Sequence, residues 1–238
     1  MRRALALVLV PWLGLAAEPS PAQKLSTARA ALSKAVQATR KSQPTEAELA
    51  AAASALEALK KALADQAELE AKDAAYAKAA KAARNDAVRQ GVDLAIGKLN
   101  ANAQHKGRVL TVENLGPAEN ALEELKVALK DAEPLRKADA MFNRFLLGID
   151  GAVVRHEQGF DEHWTRILGE RRQALSAAVA AYSKEKSDAA RKGADEAVGS
   201  LTALLDGTSR AEARNGAIRT DAERARGELA AAKTLLRP

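Results

Sequence analysis

The segment from Met141 to Leu168 reads MFNRFLLGIDGAVVRHEQGFDEHWTRIL and holds most of the aromatic side chains of this 238-residue chain. All three phenylalanines lie in it, together with Trp164, the only tryptophan outside the first 17 residues. Large apolar residues recur every three or four positions, at 142, 145 or 146, 149, 153, 160, 164 and 167. This spacing predicts one apolar face of an α-helix. Because aromatic side chains bury the most area, we expect this helix to form the centre of the core.

The composition of the whole chain predicts an all-α fold. Aromatic residues make up only 3% of the sequence, and the strong helix formers Ala, Leu, Lys, Arg and Glu are abundant. Alternating apolar and polar runs flanked by turn residues, which would indicate β-strands, are absent. Small apolar side chains bury little area each. We therefore expect an elongated antiparallel helical bundle, built from helix–linker–helix hairpins, rather than one thick core.

Charge and cysteine content argue against several classes of protein. The formal net charge is +6, and it falls to +4 without Arg2 and Arg3, because 35 basic and 31 acidic residues then remain. Basic residues are mixed with acidic ones, whereas a nucleic-acid-binding protein usually has a segregated basic face. Nucleic acid is therefore not an expected partner. Cysteine is absent, which excludes disulfides, thiolate metal sites, cysteine nucleophiles and the lipid-modified cysteine of a bacterial lipoprotein.

Residues 1–17, MRRALALVLVPWLGLAA, have the organisation of a secretory signal peptide. Two arginines precede an apolar stretch that ends in small residues, and we expect cleavage after Ala16 or Ala17. An uncleaved membrane anchor is the alternative, but the apolar run is shorter than the roughly 20 residues of a spanning helix. The mature chain, 18–238, is predicted to be exported to the periplasm or the medium as an all-helical domain. A division of this domain near 105–117 is left open.

Capping motifs and glycine or proline residues predict where the helices begin and end. Ser20 with Gln23, and Thr45 with Glu48, have the spacing of capping boxes, and Gly116-Pro117 indicates a turn before a new helix. The predicted helices span about 20–42, 46–85, 88–104, 118–132, 141–184, 187–205 and 210–236, and an interruption of the last helix at Asn215-Gly216 is left open.

Gly148 and Gly151 interrupt the apolar face of the aromatic segment. Inside a helix, each glycine costs about 1 kcal/mol relative to alanine. The two residues indicate either a turn between two antiparallel helices or a close crossing of two helices. We favour the turn.

Two parts of the chain resemble each other at a distance of 66 positions. Residues 55–74 match residues 121–140 at 11 of 20 places, and Asp73 with Asp139 is one of the matches. Alanine-rich helices converge on similar sequences, but identities at polar positions exceed what convergence requires. Two alternatives remain open, convergence and a degenerate helix–linker–helix repeat.

The segment from His156 to His163 has the only cluster of metal-ligand side chains. The two histidines are seven positions apart, which is roughly 10 Å along a helix, so one ion cannot contact both without ligands from other elements. Glu157 and Asp161 are four positions apart and could share a hard cation, but two exposed acids are the more common situation. No metal ion or cofactor is predicted. Phosphate-binding glycine loops and the common hydrolase motifs are absent, so the chain is not predicted to be an enzyme.

These features favour an exported bacterial protein with a non-catalytic binding or structural role in the cell envelope or outside the cell. Its predicted partner is a protein or an envelope polymer. Phe145 and Trp164 are the predicted partner contacts, because large apolar residues anchor interfaces, and burial in the core is the alternative for both. A second hypothesis is an amphipathic protein that binds lipid or a hydrophobic cargo. A metal-dependent enzyme that uses His156 and His163 is the least favoured hypothesis.

Overall fold

The computed structural model describes residues 19–237, with the exceptions of Ser42, Asp65 and the segment 104–111. The predicted signal peptide therefore lies outside the described residues. Every regular element in the described part is a helix, which confirms the all-α prediction. The helices are α1 (Pro21–Thr39), α2 (Glu46–Leu63), α3 (Ala67–Lys72), α4 (Ala74–Ala103), α5 (Val112–Asp131), α6 (Glu133–Ala138), α7 (Ala140–Glu185), α8 (Asp188–Gly207), α9 (Ser209–Arg214) and α10 (Gly216–Leu235).

The long helices pack as three consecutive three-helix units. The first unit contains α1, α2 and the first part of α4. The second unit contains the rest of α4, α5 and the first part of α7, and the third contains the rest of α7, α8 and α10. Because α4 and α7 each belong to two units, the bundle is elongated, and the 46 residues of α7 alone extend about 69 Å.

The buried apolar side chains of the described residues form two hydrophobic cores. One core belongs to the first unit, and the other runs without interruption through the second and third units. The aromatic segment lies in the second core, as the sequence predicted. Its buried side chains are Phe142, Leu146, Ile149, Val153, Phe160, Trp164, Ile167 and Leu168.

A single extended Asp or Asn residue begins the last long helix of each unit. Asp73, Asp139 and Asn215 precede α4, α7 and α10, and the backbone of Asp139 has φ −132° and ψ 103°. The backbone N–H of each residue donates to the carbonyl four positions earlier, at the end of a short helix. Its side chain accepts a hydrogen bond from a backbone N–H in the first turn of the next helix. Asp and Asn are preferred at this position because the side chain satisfies a free helix donor. We call these three residues the Asx breaks.

Equivalent core positions lie at the same distance from each Asx break. An alanine 21 positions before the break is fully buried in each unit, at Ala52, Ala118 and Ala194. A leucine 14 positions before the break is at most 1% exposed, at Leu59, Leu125 and Leu201. A large buried residue lies three positions after the break, at Tyr76, Phe142 and Ile218. The three units therefore share one arrangement of their cores.

An ion pair also spans each Asx break, between the residue three positions before it and the residue 11 positions after it. The pairs are Glu70 with Arg84, Arg136 with Asp150, and Glu212 with Arg226. The charges are reversed in the middle pair. Hydrogen bonding to Arg84 lowers the pKa of Glu70, and hydrogen bonding to Arg226 lowers the pKa of Glu212.

The capping predictions are confirmed, whereas two predicted helix boundaries are wrong. Both capping boxes form, at Ser20 and at Thr45. The predicted helix 46–85 is instead three helices, because the chain breaks after α2 and again at Asp73. No break occurs near residues 85–88, where α4 is continuous.

The turn predicted at Gly116-Pro117 is also wrong, because both residues lie inside α5. The apolar residues Leu115 and Ala118 on either side are fully buried. Their packing offsets the backbone hydrogen bond that a proline inside a helix cannot donate.

The turn favoured at Gly148 and Gly151 is wrong, because α7 runs straight through both residues. The alternative of a close helix crossing is wrong as well. A Cβ atom at Gly148 would meet no heavy atom within 4 Å, and one at Gly151 would meet only the end of the Arg155 side chain. The buried residues around them keep the segment helical, so the two glycines cost stability without forming a turn.

Replacing Gly148 with alanine should therefore raise the free energy of unfolding by about 0.5–1 kcal/mol, since alanine favours the helix and meets nothing. Chemical denaturation followed by circular dichroism measures this change. Gly97 is the matched control in α4, because its Cβ would lie 3.3 Å from Thr39. Gly97→Ala should give no such gain. A loss of stability in Gly148→Ala would contradict the continuous helix.

Candidate functional site

A groove with a volume of about 1030 Å³ lies between the first and second units. Helix α4 forms its floor, α2 forms one wall and α5 forms the other. The floor is lined by Arg84, Ala87, Val88, Gly91, Leu94, Ala95 and Lys98. The α2 wall carries Leu56, Lys60, Leu63 and the capping residue Ala64, and the α5 wall carries Asn120, Glu123, Glu124, Val127, Ala128 and Asp131, next to Arg210 of α9. We call this feature the α2–α5 groove.

The groove exists because α2 and α5 lie beside the same stretch of α4. Both walls line the floor between Arg84 and Lys98, a distance of about 21 Å along the helix. The small residues Ala87, Gly91 and Ala95 follow one line along this floor. The site is therefore a channel with an apolar floor, open to solvent, and as long as about four helical turns.

The two walls differ in charge. Glu123, Glu124 and Asp131 line the α5 wall, whereas Lys60 lines the α2 wall. Lys98 on the floor pairs with Glu124 at 2.5 Å. Arg84, at the other end of the floor, pairs with Glu70, which raises the pKa of the arginine. The α5 wall thus carries three acidic residues, and Arg210 of α9, which donates to Asn120 of this wall, adds a basic group beside them.

At the junction between the second and third units, Trp164 lies between α5 and α8. Trp164 is only 2% exposed. Its ring lies against Gly207 at the end of α8, where an added Cβ would be 3.3 Å from the ring. Its Nε1–H donates to Glu119 of α5 at 3.1 Å. Helices α5 and α8 therefore meet end to end at this tryptophan.

A buried ionic network surrounds the tryptophan. Glu119, only 3% exposed, also accepts a hydrogen bond from Arg214 at 2.9 Å. The same guanidinium donates to Asp161 of α7, which in turn accepts from Asn215 at 3.0 Å. Burial alone would lower the pKa of Arg214, but its bonds to Asp161 and Glu119 outweigh this effect and raise the pKa. The network fixes the third Asx break to α7.

The structure separates the two predicted partner contacts. Trp164 is buried in the core, which is the alternative to a partner contact that the sequence left open for it. Phe145 is 45% exposed and stacks on Phe142 with 6.1 Å between ring centroids. It does not line the α2–α5 groove. A partner contact at Phe145 stays a prediction.

The side chains of the histidine cluster have partners within the protein. Glu157 pairs with Lys126 at 2.5 Å, and Asp161 pairs with Arg214. His156 is half-buried beside Phe160, and burial lowers its pKa. His163 lies 3.4 Å from Arg166. Within the described residues, no group of three or more His, Asp or Glu side chains is placed to hold a metal ion.

The exposed apolar side chains bear on the lipid-binding hypothesis. The large ones are Val127, Met141, Phe145, Leu147, Val154 and Leu235, and they lie on three different helices. The main apolar faces of the long helices are packed against each other in the two cores. Among the described helices, none is long and apolar enough to span a bilayer.

Comparison of the chain with protein-family models, with curated proteins and with solved structures finds no match. The fold and the groove together define a class of protein, an elongated all-α bundle of three consecutive units with an open channel at one junction.

The sequence does not predict the polar residues that contact Trp164 and each other at the junction of the second and third units. Glu119 and Arg214 lie 95 positions apart, and no local pattern connects them. Glu119 was indistinguishable from the many exposed glutamates of the chain. One signal was available, because a buried tryptophan needs an acceptor for its N–H. That acceptor could not be identified without the packing of α5 on α7.

Replacing Glu119 with alanine should lower the free energy of unfolding by about 1–3 kcal/mol, since it leaves the buried Trp164 N–H without its acceptor. Urea denaturation followed by circular dichroism measures the loss. Glu124→Ala on the same helix is the control, because its pair with Lys98 is about half exposed and should contribute less than about 1 kcal/mol. Equal losses in the two variants would contradict the network.

Proposed function

We propose that this chain is an exported bacterial protein with a non-catalytic role, and that it binds a macromolecular partner in the α2–α5 groove. The observation that carries the proposal is the groove itself. Its floor is about 21 Å long and is apolar between its charged ends, Arg84 and Lys98, and it remains open whereas Trp164 is buried at the junction between the second and third units. An open channel of this length suits an elongated ligand better than a small molecule, which is usually enclosed.

We further propose that the three units arose by duplication of one helical hairpin with its Asx break. Support comes from the buried alanine and leucine at fixed distances before each break, and from the ion pair that spans it. The sequence match at a distance of 66 positions corresponds to the distance between Asp73 and Asp139. Proteins built in this way present extended surfaces and grooves to their partners.

Export is expected to depend on residues 1–17. When the full chain is expressed in a bacterium, the mature protein should appear outside the cytoplasm and begin at Ala17 or Glu18, because signal peptidase cleaves after small residues. Cell fractionation and N-terminal sequencing check this. Deletion of residues 2–17 is the control and should retain the protein in the cytoplasm. Recovery of the full-length chain in the membrane fraction would instead indicate an uncleaved anchor.

Binding in the groove is tested by a photo-crosslinking amino acid placed at Val127. This residue is 59% exposed on the α5 wall, so it should form one discrete adduct in the exported protein in its own cells. Val154 on α7 is 51% exposed and is not part of the groove, so it is the matched control. Phe145 is the third position.

A discrete adduct at Val127 and none at Val154 supports the groove as the binding site. Adducts at Phe145 alone would move the binding site to the exposed face of α7 and contradict the proposal. Equal labelling at all three positions, or none, would also contradict it. Mass spectrometry of the adduct identifies the class of partner.

A further inference from the structure

We infer that the occupant of the α2–α5 groove is a single amphipathic α-helix of a partner protein, with basic side chains along the edge that faces α5. This inference rests on the binding role proposed above and specifies its partner. Three properties of the groove support it, namely its floor, its walls and its charge.

The floor has the dimensions of a helix-binding surface. Ala87, Gly91 and Ala95 are spaced by four residues, so they form one row along α4. Such a row allows the backbone of another helix to approach closely, because the distance between packed helices depends on the side chains at the contact. At Gly91, an added Cβ would meet only Leu56, at 3.8 Å. Ala87 packs against the first core and Ala95 is buried in the second, so Gly91, which is half-buried, is the point of the row where the floor has room for an added side chain.

The walls supply the apolar contacts that a helix needs on its two sides. Leu56 and Leu63 on the α2 wall are partly exposed, and Val127 on the α5 wall is 59% exposed. Helices that bind in grooves place a ridge of apolar residues at three- and four-residue spacing between such walls. A helix of about 14 residues matches the 21 Å floor.

The charges of the walls specify the edges of that helix. Glu123 and Glu124 are about half exposed, and Asp131 is exposed on the same wall. Glu124 pairs with Lys98 and Glu123 pairs with Lys126, so basic side chains on the facing edge of the partner would complement Asp131 and share the two glutamates with these lysines. The opposite edge faces Lys60, whose side chain is 58% exposed, and would carry acidic or neutral residues. Complementary charges of this kind select and orient a partner more than they strengthen binding.

The Trp164 junction indicates what occupies the free space of the other junction. There the protein fills the junction of three helices with a large apolar side chain that lies against a glycine. The floor of the α2–α5 groove carries a glycine and two alanines beside Val88 and Leu94, and the lining has no aromatic side chain. A partner helix with leucine or aromatic residues on its ridge would complete the packing.

The probes that test this inference are two synthetic peptides of 14 residues. Both carry the same ridge of leucines and one tryptophan. In the first peptide, lysines lie along one side of the ridge and glutamates along the other. In the second, both edges are glutamate. The first peptide should bind the mature chain at one site and become helical, while the second should bind at least about tenfold more weakly, because it meets the acidic α5 wall. Fluorescence anisotropy and circular dichroism measure these two effects.

Gly91→Leu should weaken binding of the first peptide at least about tenfold, since the leucine fills the floor. Gly199→Leu is the matched control, because this exposed glycine of α8 has no heavy atom within 4 Å of an added Cβ and lies outside the groove. Both variants are first shown to be folded by circular dichroism. Gly91→Ala, a smaller change, should weaken binding less than Gly91→Leu.

The inference is overturned if the two peptides bind equally, if neither binds, or if Gly91→Leu has no effect. These peptide results test only the helical partner, whereas crosslinking at Val127 tests whether the groove binds a partner at all. An adduct at Val127 that contains lipid or polysaccharide would keep the groove as a binding site and reject a helical partner. Absence of any adduct at Val127 would reject the binding role.

Discussion

The arrangement of this protein depends on a hydrogen-bonding constraint that occurs three times. At Asp73, Asp139 and Asn215 the backbone leaves the helical conformation for one residue, and the side chain caps the helix that follows. A capped start fixes which residues of the new helix face inward, because helical residues three and seven positions later lie on the same side. Each Asx break thereby determines the core of its unit and the direction in which the chain continues.

The distance between successive breaks then determines the shape of the two junctions. The first two breaks are 66 positions apart and the last two are 76 apart. Val92 in α4 and Leu168 in α7 occupy equivalent positions, because each lies 47 residues before the next break. Val92 lies 19 residues after the preceding break at Asp73, whereas Leu168 lies 29 residues after the preceding break at Asp139. Ten additional residues correspond to about 15 Å of helix. Neighbouring hairpins therefore overlap along α4, which creates the groove, and meet end to end along α7, where Trp164 closes the gap.

Sequence reasoning predicted the helical class, both capping boxes and the buried aromatic face, because these depend on local spacing. It missed Asp73 as a break, since the alanine-rich sequence on either side has a high helix propensity. Asp73 matches Asp139 between the two similar segments, but a single aspartate in such a sequence does not distinguish a cap from an exposed side chain. At Gly148 the reverse error occurred. Glycine does disfavour a helix at this position, but the free energy gained by burying Leu146 and Ile149 exceeds that cost.

The groove could not be predicted from the sequence, because it results from the relative position of two helices that are about 50 residues apart. Its place between the two hydrophobic cores has a physical consequence. A ligand between α2 and α5 contacts the first unit through one wall and the second unit through the other, and only α4 and its floor are common to both. The first and second units have separate cores, so they can change their relative angle. The free energy of binding therefore includes the free energy of keeping the two units at one relative angle. A change in either core that alters this angle affects binding even when no groove residue changes.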